Sequence, residues 1–120
     1  MVMIFAHHRV RKYLLEHGLV YTYRKNHPKT ADGIRPWIGR DWATDRRTGK
    51  KIADIKITPM EPIDSLNMGQ VLWKYAIDSG FFRGVIQYAV NDWAKAINSL
   101  NPNKPTAGWI YRVEVIGADD

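Results

Sequence analysis

The chain has 120 residues, no cysteine, and 18 Lys or Arg against 12 Asp or Glu, for a formal net charge of +6; 45 % of it is hydrophobic and 25 % charged. That length accommodates one core rather than two, so a single folded domain over residues 1–120 is expected, and the composition excludes a disordered tail. Disulfides and thiolate metal sites are excluded, no apolar run approaches the roughly 20 residues of a membrane helix, and the Met1–Phe5 stretch is too short for a signal core, so a cytoplasmic location is expected.

Val2 to Phe5 is a short apolar run that predicts a strand, followed by a helix over Arg9–His17 with Val10, Tyr13, Leu14 and His17 at helical spacing and Gly18 as its stop. Leu19–Arg24 is rich in β-branched and aromatic residues and predicts a second strand. Residues 25–50 carry Pro28, Asp32-Gly33, Pro36, Gly39 and Thr48-Gly49, which is turn chemistry and predicts loops with one or two short strands. Lys51–Thr58 alternates as a strand does, and Pro59 and Pro62 are expected to end it. Met68, Val71, Leu72, Tyr75 and Ala76 predict a helix capped by Asp64 or Ser65 and closed by Gly80. A further helix is predicted from Val85 to Leu100, stopped by Asn101-Pro102, and a last strand over Gly108–Ile116. This order predicts an α+β fold with a mainly antiparallel sheet and about three helices.

The charge is unevenly placed. Residues 1–60 hold 13 Lys or Arg against 5 Asp or Glu, whereas residues 61–120 hold 5 against 7. A basic half of this kind attracts polyanions by steering and counterion release, which makes nucleic acid the leading expected partner. Arg24, Lys25, Lys29, Arg35, Arg40, Arg46, Arg47, Lys50 and Lys51 are the candidate phosphate contacts; the alternative is a solubilising surface paired with Asp32, Asp41 and Asp45. Trp37 and Trp42 fall in the same polar stretch and suit stacking on unpaired bases, or pinning of the loop to the sheet. Trp73, Trp93 and Trp109 fit structural roles. His7, His8, His17 and His27 lack the spacing of a metal site, so no metal or other cofactor is expected; imidazoles beside phosphates would tighten binding below about pH 6.5. Asp54 and Glu61 have no visible partner for acid–base work.

Four segments together resemble the ASCH family of PUA-like β-barrels, in particular its small archaeal-type members: Gly18–Arg24, Asp54-Ile55-Lys56-Ile57, Asp78-Ser79-Gly80-Phe81 with Trp93 beyond, and Gly108-Trp109-Ile110-Tyr111-Arg112-Val113. The resemblance implies a small barrel flanked by helices, binding RNA in a cleft beside the first helix. It also implies an alternative: hydrolysis of acylated cytidine, or of RNA, with Thr22 as the matched hydroxyl. Gly18 fits the family's signature and Arg24 or Lys25 supplies its terminal cation, but Val20 stands at the signature lysine and Tyr23 near its acidic position. The hydroxyl of Thr22 thereby lacks the local base such a reaction needs. The expected function is thus RNA binding, with single-stranded DNA as a second polyanion; a protein-interaction regulator is the third class.

Overall fold

The computed structural model describes residues 2–25, 37–46, 48–64, 66–100 and 107–117. The elements run β1 (Val2–Ile4), α1 (His8–His17), β2 (Leu19–Lys25), β3 (Gly39–Thr44), β4 (Lys51–Ile63), α2 (Met68–Tyr75), a 3₁₀ turn (Ala76–Asp78), α3 (Ile86–Leu100) and β5 (Gly108–Ile116). The five strands form one mixed sheet in the order β1-β3-β4-β5-β2; β1 lies parallel to β3 and the other pairs are antiparallel.

This sheet curls into a half-barrel. Its two edge strands, β1 and β2, approach closely enough for Arg24 Nη1 on β2 to donate to the Ile4 carbonyl on β1 at 2.5 Å. Directly opposed residues share a face, so the registers define the inner side: Met3, Ala43, Ile55, Ile57, Val113, Tyr111, Val20 and Thr22, all buried. The outer side is divided. Over one half, α2 and the turn after it cover Tyr21, Tyr23, Ile110 and Ile63, with the Tyr21 and Tyr75 rings 4.9 Å apart and Glu61 accepting from Tyr75 Oη at 2.6 Å and Lys74 Nζ at 3.0 Å. The other half, around Arg40, Trp42 and Lys56, is exposed.

Two expectations change. β4 does not stop at Pro59 but runs to Ile63. Its pairing with β3 ends at Ile57, so beyond that point β4 is paired with β5 alone among the described residues, and a bulge between Pro59 and Glu61 absorbs the irregularity; prolines are tolerated where no ladder hydrogen bond is lost. The second helix begins at Met68, later than expected. Asp64 spends its Oδ1 on the N–H groups of Leu66 and Asn67 in the preceding turn, and Asn67 occupies the cap without a side-chain bond.

Helix α1 ends as predicted. Gly18 takes the left-handed conformation at φ 75° and its N–H reaches the Leu14 carbonyl at 2.8 Å, while Gly18 O accepts from Val115 N–H at 2.9 Å, so a single glycine stops the helix and starts β2 beside β5. Val10 and Leu14 are its buried side chains. Gly80, at φ 89°, lies against the α1 backbone so tightly that a Cβ there would come within 2.9 Å of Val10 Cα. This contact places the segment leading into α3 against the first turn of α1.

Candidate functional site: a cleft between the sheet edges

The gap between the two sheet edges is a cleft of about 660 Å³. Ile4, Phe5 and Ala6 line it from β1 and the segment that follows, His7 and Val10 from the start of α1, Thr22 to Lys25 from β2, and Phe81, Trp93, Ala96, Ile97 and Ser99 from α3 and its approach. One wall is aromatic: the Phe81 ring meets His7 edge-on at 4.9 Å and stacks with Trp93 at 6.3 Å. Arg9 holds Phe81 from behind, donating to its carbonyl at 3.0 Å, lying 5.2 Å over its ring and reaching Asp92 at 3.6 Å.

Arg24 is the charged group of the cleft whose environment is least compensated. Its guanidinium lies 4.8 Å over the Phe5 ring and donates to Ile4 O, and its Nε is sealed from solvent with no hydrogen-bond partner. None of the ion pairs among the described residues includes it. Burial therefore pushes its pKa down to about 10, with the Tyr111 hydroxyl opposing the shift. A buried cation without a carboxylate is costly, and an anionic ligand offsets that cost by charge-assisted hydrogen bonds.

The start of α1 adds to the same field. His7, its cap residue, makes no side-chain cap bond, and the first turn contains no acidic residue. Its leading N–H groups lack intrahelical partners, so the positive end of the helix borders the cleft that holds Arg24. Burial, with Arg9 and His8 nearby, pushes the His7 imidazole below its ordinary 6.5. Any proton-linked tightening through His7 therefore falls at a more acidic pH than the sequence suggested.

No family model, curated protein or solved structure matches this chain. Among the predicted contacts, Arg24 and Lys25 line the cleft. Arg46, Lys50 and Lys51 lie at the β3–β4 turn, joined to the cleft through Thr44, whose carbonyl accepts from Phe5 N–H at 2.7 Å; Lys51 is paired with Asp54 at 3.1 Å. Arg40 points from the outer face of β3. Lys29, Arg35, Arg47 and His27 lie outside the described residues.

Trp37 is tied to the sheet: its backbone N–H donates to Tyr111 Oη at 2.8 Å, its indole N–H to Asp41 Oδ2 at 3.2 Å, and its ring packs against the core. Trp73, expected to be structural, is 50 % exposed. Thr22 is buried in the cleft beside Arg24, and no carboxylate lines the cleft among the described residues. No group of three or more potential metal ligands occurs among the described residues, and no helix among them is long and apolar enough to cross a membrane. Sequence reasoning missed Phe5, His7, Phe81 and Trp93 as cleft walls. Their signal was aromatic residues at the ends of elements, which core packing explains equally well.

Proposed function

We propose that this protein binds single-stranded RNA by seating one unpaired nucleotide in the cleft, its base against the aromatic wall and its phosphate between Arg24 and the start of α1. The observation that carries this reading is the Arg24 guanidinium, its Nε sealed from solvent and with no ion pair among the described residues, in the wall of a largely apolar cleft that includes aromatic rings. A cleft of about 660 Å³ suits a ligand of nucleotide size, and its few polar groups suit a flat ring better than an extended polyanion. The basic first half supplies the steering field.

The same reading assigns the chain to the ASCH-type, PUA-like barrels: a half-barrel with a cleft beside its first helix agrees with that resemblance. Hydrolysis through Thr22 is disfavoured because, among the described residues, no carboxylate lines the cleft near it.

Fluorescence anisotropy with single-stranded RNA, folded tRNA, single-stranded DNA and duplex DNA, each at low and moderate salt, tests the proposal. Salt-sensitive binding that favours single-stranded RNA is expected. Binding to none of the four overturns it and directs attention to release assays on acylated cytidine.

A further inference from the structure

Two aliphatic hydroxyls line the cleft among the described residues, Thr22 and Ser99, and their hydrogen bonding differs. Ser99 donates to the Ala96 carbonyl at 2.9 Å, so its proton is spent inside α3. The hydroxyl of Thr22 enters no hydrogen bond among the described residues, although Thr22 is only 7 % exposed. Nor is its oxygen sealed from solvent as Arg24 Nε is. It is therefore reached from the cleft that the residue lines.

The fold fixes where this hydroxyl stands. Gly18 O accepts from Val115 N–H at 2.9 Å and sets the β2–β5 register, in which Thr22 lies opposite Tyr111 and Arg24 opposite Trp109. Alternate residues of a strand share a face, so Thr22 and Arg24 look the same way, about 6.6 Å apart along β2. A β-branched side chain has few χ1 options, so the buried hydroxyl is presented at a fixed place. One ribose separates a phosphate from its own 2′-hydroxyl by a comparable span. A threonine hydroxyl both donates and accepts, as a 2′-hydroxyl does.

We infer that Thr22 reads the ribose 2′-hydroxyl of the nucleotide whose phosphate meets Arg24, and so makes this cleft select RNA over DNA. The inference rests on the cleft reading and deepens it by naming the sugar and the residue that recognises it. With deoxyribose in place the Thr22 hydroxyl stays buried without a partner, and this is the source of the discrimination. A threonine with no base beside it keeps its proton, which suits recognition and not attack.

The test is a thermodynamic cycle in which the hydroxyl is deleted on each side. Binding of a mixed-sequence eight-nucleotide RNA and of its 2′-deoxy counterpart, with uracil kept in both, is measured by anisotropy on wild type, Thr22→Val, Thr22→Ser and Arg24→Met, at 50 and 200 mM salt. Wild type is expected to bind the ribo form about tenfold more tightly than the deoxy form; Thr22→Val is expected to lose that factor on the ribo form and to leave the deoxy form unchanged. Its salt slope stays that of wild type, since no phosphate contact is lost. Thr22→Ser keeps the preference, whereas Arg24→Met weakens both forms alike and lowers the slope. Circular dichroism checks folding, and Thr22→Ala makes the same deletion if the valine variant does not fold.

Equal binding of the two forms by wild type overturns the inference, as does a valine variant that weakens both forms alike or neither; where Arg24→Met still weakens both forms, the cleft reading stands. A ribo-selective loss in Thr22→Val with no loss in Arg24→Met supports the 2′-hydroxyl contact and removes Arg24 as the phosphate site. Binding of neither form overturns both.

Discussion

Replacing Arg24 with methionine separates a binding role from a structural one. The change keeps an apolar stem against Phe5 and removes the charge, its hydrogen bond to Ile4 O and the unpaired Nε. Losing a hydrogen bond made by a charged donor costs about 1.5–3 kcal/mol, and losing the ring contact about 1 kcal/mol. Against this, a guanidinium pKa pushed down by burial to about 10 corresponds to roughly 3 kcal/mol of disfavour for the charged form in the folded protein. The cation's folded pKa is depressed, so this cost is present at neutral pH and is relieved as pH rises through about 10. Loss and relief nearly cancel, and the variant is expected to unfold in urea within about 1 kcal/mol of wild type. Its affinity for single-stranded RNA is expected to fall by about 10- to 100-fold, because a phosphate loses a charged donor. A variant destabilised by about 3 kcal/mol or more that still binds RNA as wild type does would refute the reasoning and make Arg24 a latch between the sheet edges.

Other substitutions probe the framework. Tyr75→Phe removes the 2.6 Å bond to Glu61 and is expected to cost ~1 kcal/mol in urea unfolding at neutral pH. Tyr75 and Lys74 hold the Glu61 carboxyl below its ordinary 4.5, so that contribution is present above about pH 4.5 and lost as pH falls through the folded value; the gap between variant and wild type should close in acid. Gly108→Ala would place a Cβ 2.3 Å from Arg24 O and 2.7 Å from Lys25 Cα, so a loss of about 2 kcal/mol or more is expected, with weaker RNA binding because the cleft wall shifts. Trp37→Ala should lower stability by ~1–2 kcal/mol while changing single-strand and duplex binding alike, since both its N–H groups are engaged within the protein. A selective loss of single-strand binding would return Trp37 to the recognition surface.

Most of the fold was legible because its signals are local. The spacing of Val10 and Leu14 with Gly18 behind them defined α1, and the stripe of Ala89, Val90, Trp93 and Ile97 defined α3. The extent of β4 was not legible, because whether a proline ends a strand depends on which of its sides has a partner, and that is a property of strand order. The site was half legible. Arg24 stood out as a cation at the end of a β-rich run, but the property that distinguishes it, a sealed Nε with no ion pair among the described residues, arises only when the β1 and β2 edges meet. Phe81 and Trp93 reach the cleft because Gly80 seats their segment on α1. Arg40 and Lys56, 16 positions apart in sequence, become neighbours through the β3–β4 register alone.

The central claim is that the Arg24 guanidinium is the anion-binding group of an RNA site. Its most direct measurement is a heteronuclear NMR titration of the isotope-labelled protein with an eight-nucleotide single-stranded RNA, following the Arg24 Nε–H resonance with the backbone amides of Ala6 and His7. The account predicts that these three signals shift together and saturate with the same affinity as binding observed by anisotropy. RNA binding that saturates while all three remain in place would contradict it.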